Sequence, residues 1–380
     1  MHNWIEIDQD ALKENYRYFC HLLGADKVVP VLKANAYGHG LRQVYQCLAD
    51  AGLRGMIGVN DLSEASELRE LAFDGPILIL GPLLEHELKK AAELQTDLTI
   101  GSPWLLKAWM DSSPRCRAWL KFDTGMGRLG FSADEAPRLA TALAPYQSEL
   151  AGISTHFANV EDVSDTSYPR KQLARLEQAR EVFRKAGYQI RSHAASSASS
   201  LLMKESHLDL CRIGLSMYGL WPSGLTRMSW INLHGTAPLP LRPVLSWHSR
   251  VVHVRTLAAG DFVGYGCTFR APSAMQAAVL PVGYSEGYAR SAGEGQAWVL
   301  IRGTRCRILG RICMNMMMVD VTHLQQICPG EQVTLLGTNG AETISADTLA
   351  SWFGTINYEV VSRINPGIPR HLSASCANQS

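Results

Sequence analysis

The sequence predicts an α/β protein: a TIM-type (β/α)8 barrel over residues 1–235, followed by a mainly β C-terminal domain over 236–380. Three observations lead there. Over about the first 215 residues, short β-branched runs alternate with segments of helical period, and the runs number eight. Residues 221–243 are rich in Pro, Gly and Ser and have no periodicity, which is linker behaviour. From Val244 onward, strand-like runs follow one another without helices between them. A doubly wound open sheet is the competing arrangement for the first part.

In chain order, the barrel strands are expected at Lys27–Leu32, Gly55–Val59, Pro76–Leu80, Asp97–Ile100, Arg117–Phe122, Leu150–Ser154, Tyr188–Ser192 and Leu208–Arg212. Helical periods fill the intervals at Ser63–Leu71, Glu85–Leu94, Asp134–Leu143 and Arg170–Lys185. Asp134 is a candidate N-cap, and Gly187 a candidate helix stop. In the second domain, strands are expected at Val244–Val254, Gln276–Val282, Trp298–Arg302, Cys306–Leu309, Met314–Val321 and Gln332–Leu336. Helices are expected at Ser345–Phe353 and Asn357–Arg363. The Met run at Met316–Met318 reads as core filler.

Composition excludes several classes. Hydrophobic residues at 46% against 19% charged rule out disorder over most of the chain. A net charge of +1 lacks the basic excess of a nucleic-acid binder. The longest apolar run, Pro76–Leu84, is too short to span a bilayer, and the opening MHNWIEIDQD has no export signal. Nine cysteines, scattered from Cys20 to Cys376 without CxxC spacing, read as reduced thiols and not as a zinc site. A cytoplasmic protein with no bound metal, no nucleic-acid partner and no membrane partner is expected.

Polar outliers cluster where barrel enzymes build their sites, at the carboxyl ends of the strands. Lys33 follows the first strand, and Lys121 and Arg128 flank the end of the fifth. His156 follows the sixth, Ser196 and Ser197 the seventh, and Arg212 ends the eighth. The sharpest segment is VLKANAYGHG, residues 31–40. A lysine at the end of a buried strand is partly desolvated, which favours the neutral amine that attacks carbonyls or holds pyridoxal phosphate. Gly38 and Gly40 either belong to a phosphate cradle or only permit the turn into the next helix.

This segment resembles the pyridoxal-phosphate attachment motif of alanine racemases. The resemblance continues through KFDTGMGRLG at 121–130, THFA at 155–158, RIGLSMYG at 212–219, VGYG at 263–266, GYSEG at 283–287, GRICM at 310–314 and INYE at 356–359. It implies a barrel plus β domain acting as a head-to-tail homodimer with shared active sites, and pyridoxal 5'-phosphate as cofactor. Lys33 would hold the cofactor and act as one catalytic base, and Tyr265 as the other, reaching the partner's site. Arg212 would face the pyridine nitrogen with His156 orienting it. Tyr37, Ser197, Tyr358, Gly214 and Leu215 would hold the phosphate. Arg128 would bind near the substrate carboxylate, with a carbamylated Lys121 as a candidate buttress. Met314 would offer its backbone N–H to that carboxylate, while Tyr284 and Tyr358 narrow the entrance.

Three positions depart from the pattern: Ser196 where Asn is usual, Glu286 for Asp, and Asn315 for the Asp after Cys-Met. The expected activity is interconversion of L- and D-alanine for peptidoglycan, with a serine or dual alanine/serine racemase as the alternative because of Asn315. A non-catalytic pyridoxal-phosphate carrier would lack the second domain and Tyr265. A decarboxylase on this barrel would place a carboxylate, not Arg212, at the pyridine nitrogen.

Overall fold

A computed structural model describes residues 2–113, 115–161, 164–235, 240–294 and 297–373. The chain divides into two compact units, one of residues 11–36 and 44–242, the other of 1–10, 37–43 and 243–380.

The first unit is a closed parallel barrel. Six strands pair in chain order: Ile57–Val59, Ile77–Ile79, Thr96–Ile100, Ala118–Lys121, Leu150–Ser154 and Arg191–His193. Val28–Pro30 pairs with Cys211–Ile213, and single parallel bridges Val31–Gly58 and His193–Leu210 join the two sets. The open sheet is therefore excluded. Leu150–Ser154 matches its apolar run and Thr96–Ile100 gains one residue; the other six strands are shorter than expected, and the seventh sits at Arg191–His193, not Tyr188–Ser192. Tyr188 instead packs edge-on against Phe183, and its hydroxyl donates to Ala140 O at 2.6 Å.

The barrel interior closes over Val29, Met56, Leu78, Trp119, Ala151 and Leu210. Trp119 is fully buried and donates its indole N–H to Asp97 at 2.9 Å. Gly152 makes room for it, since a Cβ there would lie 2.4 Å from the indole ring. Outside, helix Ser167–Lys185 buries Leu176, Ala179 and Phe183 at helical spacing, and Gly187 follows its end with φ 88°. The cap expected at Asp134 belongs to Ser132, whose hydroxyl accepts from Asp134 N.

The expected linker contains a helix, Gly224–His234, capped by Ser223. It was unreadable because its buried face is Thr226, Ser229 and Trp230, while Leu225, Met228 and Leu233 are exposed. Residues 236–239 lie outside the described residues.

The second unit is mainly β. Its larger sheet runs Thr304–Arg307, Trp298–Ile301, Gln332–Asn339, Leu245–Arg250, Trp4–Asp8, Arg370–Ser373, and Glu342–Ile344 pairs with Gln332–Asn339. The N-terminal strand was not expected, although Ile5 and Ile7 alternate with polar neighbours and are fully buried. It pairs antiparallel with Leu245–Arg250 and parallel with Arg370–Ser373. The run Val244–Val254 is two strands, broken before His253–Leu257, which joins Met275–Leu280 and Met317–Asp320 in a second sheet. Arg302 and Gly303, with φ 50° and 72°, form the two-residue turn of the Trp298–Arg307 hairpin. Met317 is buried and Met318 packs on the core beside Leu257 and Leu309, whereas Met316 points to solvent.

Among the described residues no helix is long and apolar enough to cross a membrane, and no three His, Cys, Asp or Glu side chains group as metal ligands. None of the eight cysteines described forms a disulfide; Cys376 lies outside the described residues.

Candidate active site

The barrel brings five of the expected residues into mutual electrostatic range: Lys33, Lys121, Arg128, His156 and Arg212. Each stands on a loop leaving the carboxyl end of a strand or on the strand's last turn. Lys33 is half-buried, and burial, then Arg128 and Arg212, push its ammonium below the usual lysine range, with Glu64 opposing them. Lys121 is pushed down to about 8 by burial, then by Arg212 and Arg128. Strong local positive charge with few carboxylates favours an anionic ligand.

Arg212 is buried and held on several sides. Its Nη2 donates to Thr155 O at 2.9 Å and Ala194 O at 3.0 Å and lies 3.3 Å from His156 Nδ1. Its Nη1 meets Nδ1 of His193. Burial, then the Arg212 charge, drives His156 down to about 3 and His193 well below the usual range, so both imidazoles are neutral.

Ser197 Oγ accepts from Gly214 N at 3.1 Å and Ser216 N at 3.4 Å, tying the loop after the seventh strand to that after the eighth. Leu215 is buried between them in sequence. Ser196 faces its own helix start, its N–H donating to Ser199 Oγ at 2.8 Å.

Arg128 is carried by a loop that one carboxylate shapes. Asp123 accepts from the N–H groups of Gly125, Met126, Gly127 and Arg128 at 2.7–3.1 Å. Burial alone would raise its carboxyl, but these four donors hold it below the usual range.

After Lys33 the backbone turns left-handed: Ala34, Asn35, Ala36 and Tyr37 have φ of 53–54°. For non-glycine residues this costs roughly 1–2 kcal/mol each.

In the other unit, Tyr37 and Tyr358 lie with ring centroids 6.4 Å apart. Gly38 (φ 81°) allows the turn there, because a Cβ would sit 1.9 Å from Val361 O. This favours the turn reading of the glycines. Tyr265 stands on a turn between Phe262–Val263 and Phe269–Arg270 and is 70% exposed. Tyr284 and Met314 are exposed on two loops zipped by Tyr284 N to Cys313 O at 3.2 Å and Ser285 N to Met314 O at 2.9 Å. Asn315 closes the same pair of loops, donating Nδ2 to Glu286 Oε1 at 2.9 Å, while Glu286 Oε2 accepts from Gly283 N at 2.7 Å. Two of the three departures from the expected pattern, Glu286 and Asn315, are thus partners.

Sequence reasoning missed His193, Asp123 and Glu64. His193 lies on a strand, where one histidine carries no pattern. Asp123 stands within a quoted motif, and its Asp-Thr-Gly-Met-Gly context is a loop-anchoring signal that could have been read.

A closed barrel with a cationic rim and a desolvated lysine, in a chain that adds a mainly β unit, is the arrangement of a barrel enzyme suited to an anionic ligand. The chain belongs to the alanine racemase family: residues 7–222 match the model "Alanine racemase, N-terminal domain" and residues 244–372 match "Alanine racemase, C-terminal domain". It is 40% identical over 372 residues to the alanine racemase of Leptospira interrogans, covering 97% of this chain and 95% of the relative. It is 38% identical to that of Listeria monocytogenes, over 97% and 96%. Among solved structures it resembles the Bacillus anthracis alanine racemase with bound L-Ala-P (31% identity, 99% and 96% covered, TM-score 0.87). It also resembles the Bartonella henselae alanine racemase with covalently bound pyridoxal phosphate (25%, 98% and 100%, TM-score 0.85).

Pyridoxal phosphate is the family's cofactor. The residues here fit it. Ser216 Oγ is buried without a hydrogen-bond partner beside Ser197, whose Oγ already gathers the N–H groups of Gly214 and Ser216, a set of donors that suits a phosphate. Lys33 has the depressed ammonium that attachment to an aldehyde needs.

Proposed function

We propose that this chain is an alanine racemase that interconverts L- and D-alanine with Lys33 and the partner subunit's Tyr265 as the two bases. The observation that carries the reading is the cluster of Lys33, Arg128 and Arg212, with Lys33 desolvated among fixed cations. Bound pyridoxal phosphate would draw off the electron pair of the α-C–H bond and so acidify it.

The protein's own groups do the rest. Lys33, neutral more readily than a surface lysine, can take or return a proton on one face of the α-carbon. A second base is needed on the opposite face, since one base would have to migrate around the substrate. Tyr265, exposed on its turn, is free to reach a second copy of the chain. Arg212 is always charged and only donates, so it would keep a cofactor ring nitrogen held against it unprotonated and would so limit side reactions such as transamination. His156, neutral at Nδ1, keeps Arg212 aimed. Ser197, with the N–H groups of Gly214 and Leu215, would hold the phosphate, and Tyr37 and Tyr358 are assigned to it by the family resemblance. Arg128 would pair with the substrate carboxylate, with Met314 N–H as a further donor and Tyr284 narrowing the approach. Ser196 is proposed beside the cofactor. A homodimer is supported by Leu225, Met228 and Leu233, exposed on one helix. The product would serve peptidoglycan synthesis in the cytoplasm.

The test is a chiral assay of purified protein with added cofactor against a panel of L-amino acids, joined to borohydride reduction and peptide mapping. D-Alanine should form fastest, and the cofactor should be fixed to the peptide holding Lys33. Label on another lysine, or no D-alanine, overturns the reading.

A further inference from the structure

Something must hold the left-handed turn after Lys33 in place. Ala36 N donates back to Leu32 O at 2.8 Å, and a further restraint comes from a residue distant in sequence. Glu64 Oε1 accepts from Asn35 N at 3.3 Å, and its Oε2 accepts from Asn60 N at 2.7 Å. Glu64 lies in the first turn of helix Leu62–Glu70, which Asp61 starts by accepting from Ser63 N and Glu64 N. One carboxylate therefore spans the loops after the first and second barrel strands. Successive N–H groups of such a turn form a concavity that suits an anion.

The geometry points to Glu64 as a positioning residue for Lys33: its carboxylate clamps the left-handed turn and so fixes where the lysine amine stands. The inference rests on the reading that Lys33 carries the cofactor, but its structural part does not. Charge adds to the clamp. Arg128 and Arg212 push the Lys33 ammonium down, Lys121 is a further amine in electrostatic range, and Glu64 is an acidic group that opposes the two arginines. Burial, then Asp61, raises the Glu64 carboxyl, while the N–H groups of Asn60, Asn35 and Ala34 favour its ionised form. Glu64 thus separates two properties of Lys33, its place and its basicity, from the chemistry it performs.

Two readouts on the cofactor-free protein test this. The first is competitive acylation of Lys33 across pH, with the modified peptide quantified, which reports the lysine's own titration. Glu64→Gln removes the opposing charge, so the midpoint should move to lower pH by on the order of one unit. Ser102→Ala, which removes the cap of helix Pro103–Asp111, should lower the thermal midpoint yet leave the Lys33 titration in place. The second readout is amide exchange of the peptide spanning residues 31–38, which should accelerate about tenfold in Glu64→Gln and in Glu64→Asp, whose shorter reach keeps the charge but loses the clamp. Glu64→Asp serves alone if Glu64→Gln does not fold. An unmoved Lys33 midpoint in folded Glu64→Gln, or unchanged exchange in Glu64→Asp, overturns the proposal. Borohydride label on a lysine other than Lys33 would instead remove the catalytic reading and leave these two measurements to decide the clamp.

Discussion

Arg212 Nη2 lies 3.3 Å from Nδ1 of His156, beside two carbonyls, of Thr155 and Ala194, that accept from the same nitrogen. A guanidinium has no acceptor, so the contact is a hydrogen bond only if His156 Nδ1 is bare and its proton sits on Nε2. The histidine is therefore a neutral rest for a fixed cation. His193 repeats the arrangement on the other guanidinium nitrogen.

This arrangement makes stability fall with acid. An unfolded histidine binds its proton near pH 6.5, whereas folded His156 refuses it until about 3. Between those values the unfolded chain holds the extra proton. Stability is thus intact above about pH 6.5 and falls by up to about 1.4 kcal/mol per pH unit per histidine as pH drops. Urea unfolding of the cofactor-free protein at about pH 7.5 and about pH 5.5 should show the loss. His156→Gln, which can still accept from Arg212, should make the loss shallower by the His156 share and leave that of His193. Equal pH slopes in the two proteins would mean that His156 is already protonated in the fold.

If each site is shared between subunits, two dead variants should revive one another. Lys33→Ala and Tyr265→Phe should each lower turnover by roughly 10²–10⁴-fold. Randomly mixed dimers regain about one quarter of the sites, because each hybrid has one site with both bases and one with neither. Tyr265→Phe should impair single-turnover proton exchange from L-alanine more than from D-alanine. Confirmed hybrids without activity would place both bases in one chain.

Asn315 is bonded to Glu286, and this bears on substrate choice. An amide committed as donor to a neighbouring carboxylate is less available for a serine hydroxyl. The ratio of kcat/KM for L-serine over L-alanine should therefore change by less than about threefold in Asn315→Asp. That substitution sets two carboxylates face to face, so KM for alanine should rise as the zipped loops loosen. A shift of tenfold or more in the serine ratio would show Asn315 reaching the substrate.

Lys121 is half neutral near its midpoint of about 8, and only the neutral amine adds carbon dioxide. Carbamate formation releases a proton and turns a cation beside Arg128 into an anion. Excluding carbon dioxide should raise KM about tenfold, and Lys121→Met should be insensitive to it. Magnetic resonance with isotopically labelled carbon dioxide should show a protein-bound carbamate in the parent and not in the variant. Identical spectra would leave Lys121 unmodified.

The sequence by itself determined the order of elements and the chemistry of the rim. Period-two and helical spacing are local, so eight strand runs and a change of pattern near Val244 could be counted without coordinates. Lys33, Arg128, His156, Ser197 and Arg212 were legible because each follows a strand or stands at its end, and parallel strands send all their carboxyl ends to one face. Tertiary structure decided what surrounds them. His193 and Glu64 have no periodic or motif signal; they matter because the barrel's closure sets a seventh strand beside an eighth, and a second beside a first. The pairing of Asn315 with Glu286, residues 29 apart in sequence, likewise follows from two loops zipped together. The N-terminal strand and helix Gly224–His234 escaped for related reasons. The strand's partners lie near the far end of the chain, and the helix turns its apolar side outward. Local pattern specifies which residues can form an element, but which groups share a hydrogen bond is set by contacts between segments far apart in the chain.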